Sequence, residues 1–190
     1  MGDHVLFFYG TLMAPQILHR VIHGRADPEP WQKATLSFQP AILHGYRRHR
    51  VRGADYPGII SVSASAESES KTRTSVLGTL VSGLTDGDVH RLDLFEGSEY
   101  IREGVKVRTL KDALDQGHES MSGNSNNSGG NLCDVLDAAS AEFVDEAEEV
   151  DAVTYVWVAG NERLESLEWD FESFKKDKMA WWVESDERDW

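Results

Sequence analysis

The chain has 190 residues, long for one average domain and short for two, so one core with an insertion or a tail is expected. A hydrophobic content of 40% and an aromatic content of 9% exclude a wholly disordered, collagen-like or repeat-dominated chain, and no apolar run approaches the length of a bilayer span. The net charge of −14 is unevenly placed: residues 112–150 hold ten acids and no Lys or Arg, residues 161–190 hold ten acids against five bases, and the remaining body is close to neutral. A negative periphery argues against nucleic acid and anionic membranes as partners. Asp3 stands where a secretory signal carries bases, and Cys133, the single cysteine, can form no internal disulfide, so a cytoplasmic location is expected.

In chain order, residues 4–9 are a short apolar, aromatic run ended by Gly10, which predicts a buried first strand. Residues 13–23 carry Ile17, Leu18, Val21 and Ile22 at helical spacing, with Pro15 in the first turn and Gly24 as a stop. Strands are expected at residues 34–43, 46–51 and 58–62, with a turn at Pro57 and Gly58, and the Ser-rich, charged stretch 63–73 reads as a loop. Residues 75–84 are strand-like, and residues 85–95 open on Thr85 and Asp86 before Val89, Leu92, Leu94 and Phe95, which suits an amphipathic helix. Residues 100–110 place Ile101, Val105 and Val107 on one strand face, and residues 152–158 are a second β-branched and aromatic run.

Between those two strands, residues 112–150 read as an excursion. Residues 116–131 have the composition of a flexible linker, and Leu132, Val135, Leu136, Phe143 and Val144 permit a short acidic helix. Residues 164–183 carry Leu167, Phe171, Phe174 and Trp181 on a helix expected to pack back on the body. The expected organisation is a single domain over residues 1–190, with an acidic insertion at about 112–150 and a C-terminal helix at about 164–183.

Two stretches carry candidate chemistry. In Tyr9-Gly10-Thr11-Leu12 a strand turns into a helix through a glycine, so backbone N–H groups there lack regular partners and can bind a carboxylate or oxyanion. In Leu92-Asp93-Leu94-Phe95-Glu96, the final acid follows two apolar residues at a helix end. Desolvation against an apolar wall would raise its pKa and make it a usable general base. Taken alone, the first stretch reads sooner as an ordinary corner and the second sooner as a solvated surface acid. Glu99 and Glu103 fit the surface description, and Asp93 is expected to face solvent.

Together these stretches resemble the γ-glutamylcyclotransferase-like superfamily, and within it the branch of γ-glutamylamine cyclotransferase and the plant avirulence-induced-gene-type proteins. That pattern is a Tyr-Gly-Thr-Leu loop near the N-terminus, then Leu-Asp-x-Phe-Glu followed by Tyr and Arg, here Tyr100 and Arg102. Asp55-Tyr56-Pro57-Gly58 resembles the family's Tyr-Pro turn, Tyr155-Val156-Trp157 its last barrel strand, and Glu168-Trp169-Asp170-Phe171 the tail of the plant-type members. The resemblance spans most of residues 4–111 and 151–182 and leaves out the acidic insertion.

The resemblance implies an α+β fold: a small mixed β-barrel of about six strands with flanking helices and a cavity at one end. It implies a transferase or lyase reaction without cofactor or metal, in which the α-amine of a γ-glutamyl group attacks its own side-chain amide, giving 5-oxoproline and a free amine. Glu96 would be the general acid/base, and Tyr9, Gly10, Thr11, Leu12 and Tyr100 would bind the substrate, a small γ-glutamyl amine or peptide. A non-catalytic small-ligand binding module, or a related acyltransferase, remains open on the same fold.

Other features carry less. His19 and His23 have the spacing of two helical metal ligands but no accompanying acid motif, so a surface or packed pair is expected. The basic run of residues 47–52 reads as a solvated strand edge or as a partner for the acidic segment, the Trp-rich tail as cover for the core, and Cys133 as lacking a base.

Overall fold

The computed structural model describes residues 2–62, 74–110 and 146–184. Strand β1 (His4–Phe8) is apolar on both faces because both are covered. Leu6 and Phe8 join the cluster beneath the helices, while Phe7 and the following Tyr9 join the cluster inside the barrel. Gly10 leads into a single 3-10 turn, Thr11–Met13, and only then does helix α1 (Pro15–His23) begin. The helix expected from residue 13 therefore starts two residues later, at the proline whose fixed φ suits the first helical position. A one-turn helix, α2 (Pro30–Lys33), precedes β2 (Ser37–His44).

Next come β3 (Tyr46–Arg50), β4 (Pro57–Ser61) and β5 (Ser75–Leu84). Helix α3 (Asp86–Glu96) opens on a reciprocal cap, in which the Asp88 N–H donates to Thr85 Oγ1 at 3.2 Å and the Thr85 N–H donates to Asp88 Oδ2 at 2.9 Å. A 3-10 turn, Gly97–Glu99, connects it to β6 (Tyr100–Leu110), and β7 (Glu146–Trp157) is the last strand.

Five strands close the barrel in the order β1-β5-β2-β6-β7, one fewer than the six or so expected. All barrel pairs are antiparallel except β1 with β7, which meet in parallel at Leu6 and Val153. Strands β3 and β4 form a separate two-stranded ribbon. The interior is filled by alternating positions of the wall, among them Phe7, Leu43, Val76, Leu80, Val107 and Val156. Ile101, expected to share the inward face with Val105 and Val107, is 52% exposed at the barrel mouth.

The expected loop at residues 63–73 lies outside the described residues, as do residues 111–145 with Cys133. Residues 146–150, read as the end of the insertion, belong to β7, where Val150 pairs with Val107. Their acids obscured the strand in the sequence; Lys106 on β6 meets Glu149 and Asp151 of β7 at 3.5 and 2.9 Å.

The C-terminal helix expected over residues 164–183 is instead an extended strap followed by two short helices, α4 (Phe171–Asp177) and α5 (Met179–Glu184). The strap runs beside β3 through backbone bonds: Arg50 N–H to Leu167 O at 3.1 Å, Glu165 N–H to Arg50 O at 2.8 Å, and Arg52 N–H to Arg163 O at 2.8 Å. Leu167 is accordingly exposed, and Trp182 rather than Trp181 is buried with Phe171 and Phe174. Among the described residues no helix is long and apolar enough to cross a membrane.

Candidate active site at the barrel mouth

At the end of β1 a cavity of about 30 Å³ is lined by Tyr9, Gly10, Thr11, Leu12, Glu96 and Tyr100, together with Phe7, Phe8, Tyr56, Pro57 and Tyr155. All six candidate residues thus meet at one place. β1 delivers Tyr9, the 3-10 turn delivers Thr11 and Leu12, the end of α3 delivers Glu96, and the start of β6 delivers Tyr100. Sequence reading left out of the site Tyr56 and Pro57, which close it from the ribbon, and Tyr155, which closes it from β7. The signals for them were the Tyr-Pro turn and the Tyr-Val-Trp strand, read only as fold markers.

Glycines set the geometry twice. Gly10 has φ −124°, so left-handed backbone is not the reason for it; a Cβ there would stand 2.9 Å from Cγ and Cδ of Pro57. Gly97 has φ 67° and its N–H donates to Asp93 O, which ends α3 directly after Glu96. Thr11 and Leu12 open the 3-10 turn, and among the described residues no acceptor takes their N–H groups. The unpaired N–H groups therefore belong to this turn rather than to the N-terminus of α1, which begins with a proline.

Glu96 is half-buried, lining the inner cavity and also an adjoining cleft of about 560 Å³. Burial alone pushes its pKa up to about 8. Among the described residues no hydrogen-bond donor or cation pairs with it. The four surrounding tyrosines all donate elsewhere: Tyr9 to Tyr155 O at 2.5 Å, Tyr56 to Glu99 at 3.0 Å, Tyr100 to Pro57 O at 2.7 Å and Tyr155 to Asp93 at 2.9 Å. Burial raises the pKa of each, so all four are neutral donors with settled partners. The one uncommitted proton carrier in the cavity is Glu96.

Several residues read as solvated are held. Asp93 accepts from Tyr155 and pairs with Arg102 at 3.1 Å. Glu99 accepts from Tyr56 and pairs with Arg163. Arg48, read as part of a solvated edge, is mostly covered, with 11% of its side chain exposed: it donates to the carbonyls of Tyr9 at 2.9 Å and Leu77 at 3.3 Å, and pairs with Glu168 at 3.3 Å. Two carbonyls and one carboxylate hold its terminal nitrogens, Nε has no hydrogen-bond partner among the described residues, and the guanidinium braces the strand end that carries the Gly10 loop. The partner of the basic strand is therefore the strap, with Glu165 and Glu168.

The Trp-rich tail covers core and site at once. The indole of Trp169 donates to Asp55 O at 2.7 Å, fastening the turn that carries Tyr56, and Trp182 lines the 560 Å³ cleft. His19 and His23 stack with centroids 5.5 Å apart, and among the described residues no group of three or more His, Cys, Asp or Glu could hold a metal ion.

The sequence profile of the family described as gamma-glutamyl cyclotransferase, AIG2-like, matches residues 6–122, a stretch that includes the Tyr9 loop, the Tyr-Pro turn and Glu96. Protein AIG2 C of Arabidopsis thaliana is 25% identical over 173 residues, covering 91% of this chain and 73% of that one. AIG2-like protein D of the same plant is 27% identical over 173 residues, covering 91% and 80%. A solution structure of an Arabidopsis thaliana protein, 23% identical, superposes with a TM-score of 0.51 over 91% of this chain and 73% of its own, which shows a shared fold. With the profile matched over more than half of its length, the chain belongs to the AIG2-like gamma-glutamyl cyclotransferase family.

Proposed function

We propose that the chain is a cytoplasmic γ-glutamyl cyclotransferase, converting a γ-glutamyl amine or small γ-glutamyl peptide to 5-oxoproline and the free amine with no cofactor. The observation that carries this reading is the half-buried, desolvated carboxyl of Glu96, with no partner among the described residues, in the same cavity as the unpaired N–H groups of Thr11 and Leu12. The reaction asks for three things. The substrate's α-ammonium must lose a proton, the leaving nitrogen must gain one, and anionic oxygen must be stabilised.

Glu96 as carboxylate takes the proton from the α-ammonium. The freed amine attacks the side-chain amide carbon, forming the ring C–N bond, and the carbonyl oxygen becomes an oxyanion. As the tetrahedral intermediate collapses, Glu96 returns the proton to the leaving nitrogen and the bond to that nitrogen breaks. The regenerated carboxylate then takes the surplus proton from the ring nitrogen and passes it to the departing amine, which leaves as an ammonium. Atoms balance without water, so a site closed by Tyr56, Tyr100 and Tyr155 against hydrolysis suits the reaction. The N–H groups of residues 10–12 supply donors for the α-carboxylate and the developing oxyanion. A 30 Å³ niche admits one anionic group, and the 560 Å³ cleft has room for the remainder of the substrate. Holding the amine near the amide carbon in the ring-closing conformer falls to Tyr9 and Tyr100, whose rings are buried in the wall.

The test is incubation with a panel of γ-glutamyl amines and dipeptides, followed by mass spectrometry for 5-oxoproline and amine in equal amounts. Glutamate in place of 5-oxoproline would mean hydrolysis, and binding without product would make the cavity a ligand-binding site.

A further inference from the structure

Two walls of the inner cavity are separate pieces of chain. The loop of residues 9–12 leaves the barrel at the end of β1, and the turn of residues 55–57 arrives from the ribbon of β3 and β4. They press on each other at Gly10 and Pro57, and Tyr100 holds the turn from inside by donating to Pro57 O at 2.7 Å. Among the described residues no hydrogen bond runs directly from the loop to the turn. They are joined from outside by Arg48 and Trp169. Arg48 donates through one nitrogen to Tyr9 O at 2.9 Å and Leu77 O at 3.3 Å, and through the other to Glu168 of the strap at 3.3 Å. The next strap residue, Trp169, has its ring centroid 5.5 Å from the same guanidinium, and its indole N–H donates to Asp55 O at 2.7 Å. Trp169 is 5% exposed, with Phe171 and Phe174 packed on its ring at 6.0 and 5.5 Å. A buried indole, bonded at its single polar atom and faced by a planar cation, makes a stiff linkage. Neither Arg48 nor Trp169 lines the inner cavity or the outer cleft.

We infer that Arg48 and Trp169 are positioning residues for the reaction: together they clasp the loop of residues 9–12 to the turn of residues 55–57, and so fix the width of the cavity in which Glu96 works. The inference rests on the γ-glutamyl reading above for its kinetic consequence. Ring closure needs the substrate's anionic group held by the loop while its amine stays beside Glu96, and a wall free to move away loses that alignment. The same movement admits water to the carboxyl. The strap contributes at a second point, where Arg163 pairs with Glu99 and Glu99 accepts from Tyr56 at 3.0 Å. The C-terminal strap thereby belongs to the working site although it touches no substrate.

Trp169→Phe tests the clasp, because it keeps an aromatic ring in the cluster and removes the bond to Asp55 O. With a γ-glutamyl substrate, kcat should fall about tenfold while KM stays within about twofold of the wild type. Burial is what holds the Glu96 pKa up at about 8, so the rising limb of kcat/KM against pH should move down to about 7 as water enters. Arg48→Lys leaves the aromatic cluster intact but cannot span both carbonyls and Glu168, and it should do the same. Leu110→Ala, a truncation at the far end of β6 from Tyr100, should melt lower and move neither quantity. A clasp variant with wild-type kcat and an unmoved limb, or equal changes in Leu110→Ala, would overturn the inference. If no γ-glutamyl compound yields 5-oxoproline, that reading fails separately, and carbon NMR of the carboxyl groups, with Glu96 assigned through Glu96→Gln, decides on the clasp. A Glu96 titration that moves down in Trp169→Phe supports it, and one that stays in place rejects it.

Discussion

Tyr155 donates its hydroxyl to Asp93 at 2.9 Å, a bond that crosses from the last barrel strand to the helix ending in Glu96. Asp93 also meets Arg102 of β6 at 3.1 Å, so the final turn of α3 is fastened to two strands at the position one turn before Glu96. The two acids of the Leu-Asp-Leu-Phe-Glu stretch therefore have opposite situations. Asp93 has its charge met twice and fixes position, while Glu96 is left alone in an apolar wall, where its protonation is labile near neutral pH.

Asp93 is thus a positioning residue. Asp93→Ala should lower kcat by about tenfold with KM little changed, and Tyr155→Phe should cost less. In a double-mutant cycle the second substitution should add almost nothing to the first, because both remove the same tether. Fully additive losses would show that the two side chains act independently on the site.

Glu96→Gln should retain the fold and lose two to four orders of magnitude in turnover, roughly the contribution of a placed acid–base group. The pH profile is the sharper measurement. A substrate arrives as an ammonium, so the productive complex needs Glu96 ionised before binding. kcat/KM should therefore rise with pH through the Glu96 pKa of about 8 and fall again as the substrate's own ammonium deprotonates. A rising limb near the ordinary carboxylate range would mean that Glu96 titrates in water and is not the group enclosed in the cavity.

The same carboxyl opposes folding at high pH. Its pKa rises from 4.5 in the unfolded chain to about 8 in the folded one, so the folded state holds the proton more tightly. Stability from this group is complete below 4.5 and is lost as pH rises to about 8, by up to about 5 kcal/mol. Glu96→Gln should accordingly melt at a higher temperature than the wild type at pH 8.5 and close to it at pH 4.5. An inactive variant that is stabilised in this way separates the acid's function from its burden on the fold.

What the sequence made legible follows from which signals are local. The apolar run before Gly10, the Thr85 cap and the strand Ser75–Leu84 obey periodicity and capping rules, and the elements lie where those rules put them. The first turn of α1 was misplaced because a 3-10 turn and an α-helix share a sequence pattern over three residues. The end of the insertion reads as excursion because Glu148 and Glu149 are acids, and the cation that meets Glu149, Lys106, lies across the barrel wall. Arg48, Asp93 and Glu99 looked solvated because their partners, Glu168, Tyr155 and Arg163, lie 120, 62 and 64 residues away. The site residues came from a motif resemblance; hydrophobic pattern alone would have left Glu96 on the surface.

Gly10 answers to contact rather than conformation. A Cβ at this position would press on Cγ and Cδ of Pro57, whose carbonyl anchors Tyr100. Gly10→Ala should therefore destabilise by about 1–3 kcal/mol and raise KM, as overpacking moves the wall of the cavity. Pro57→Ala should relieve the clash, so the pair together should be more stable than Gly10→Ala alone. A double variant no better than the single one would place the strain elsewhere.

His19 gives the acid side of the stability curve. It is buried on α1, stacked on His23 and edge to face with Phe38 at 5.9 Å. Burial first, then the proximity of His23 and Lys33, holds its pKa down at about 4 against 6.5 in the unfolded chain, with Asp27 acting in the other direction. The folded state thus keeps His19 neutral while the unfolded chain takes up a proton below 6.5. Stability should fall as pH drops from about 6.5 to about 4, by about 3 kcal/mol, and no further through this group below that. The slope is opposite to that from Glu96, so the two buried groups press on the stability curve from its two sides. Melting temperatures of the wild type, His19→Leu and Glu96→Gln measured from pH 4 to 9 should show the first variant flattening only the acid side and the second only the alkaline side. A His19→Leu curve that keeps the full acid slope would assign that slope to carboxylates paired in the native state, such as Asp170 at the start of α4, whose pKa is held low by Ser173.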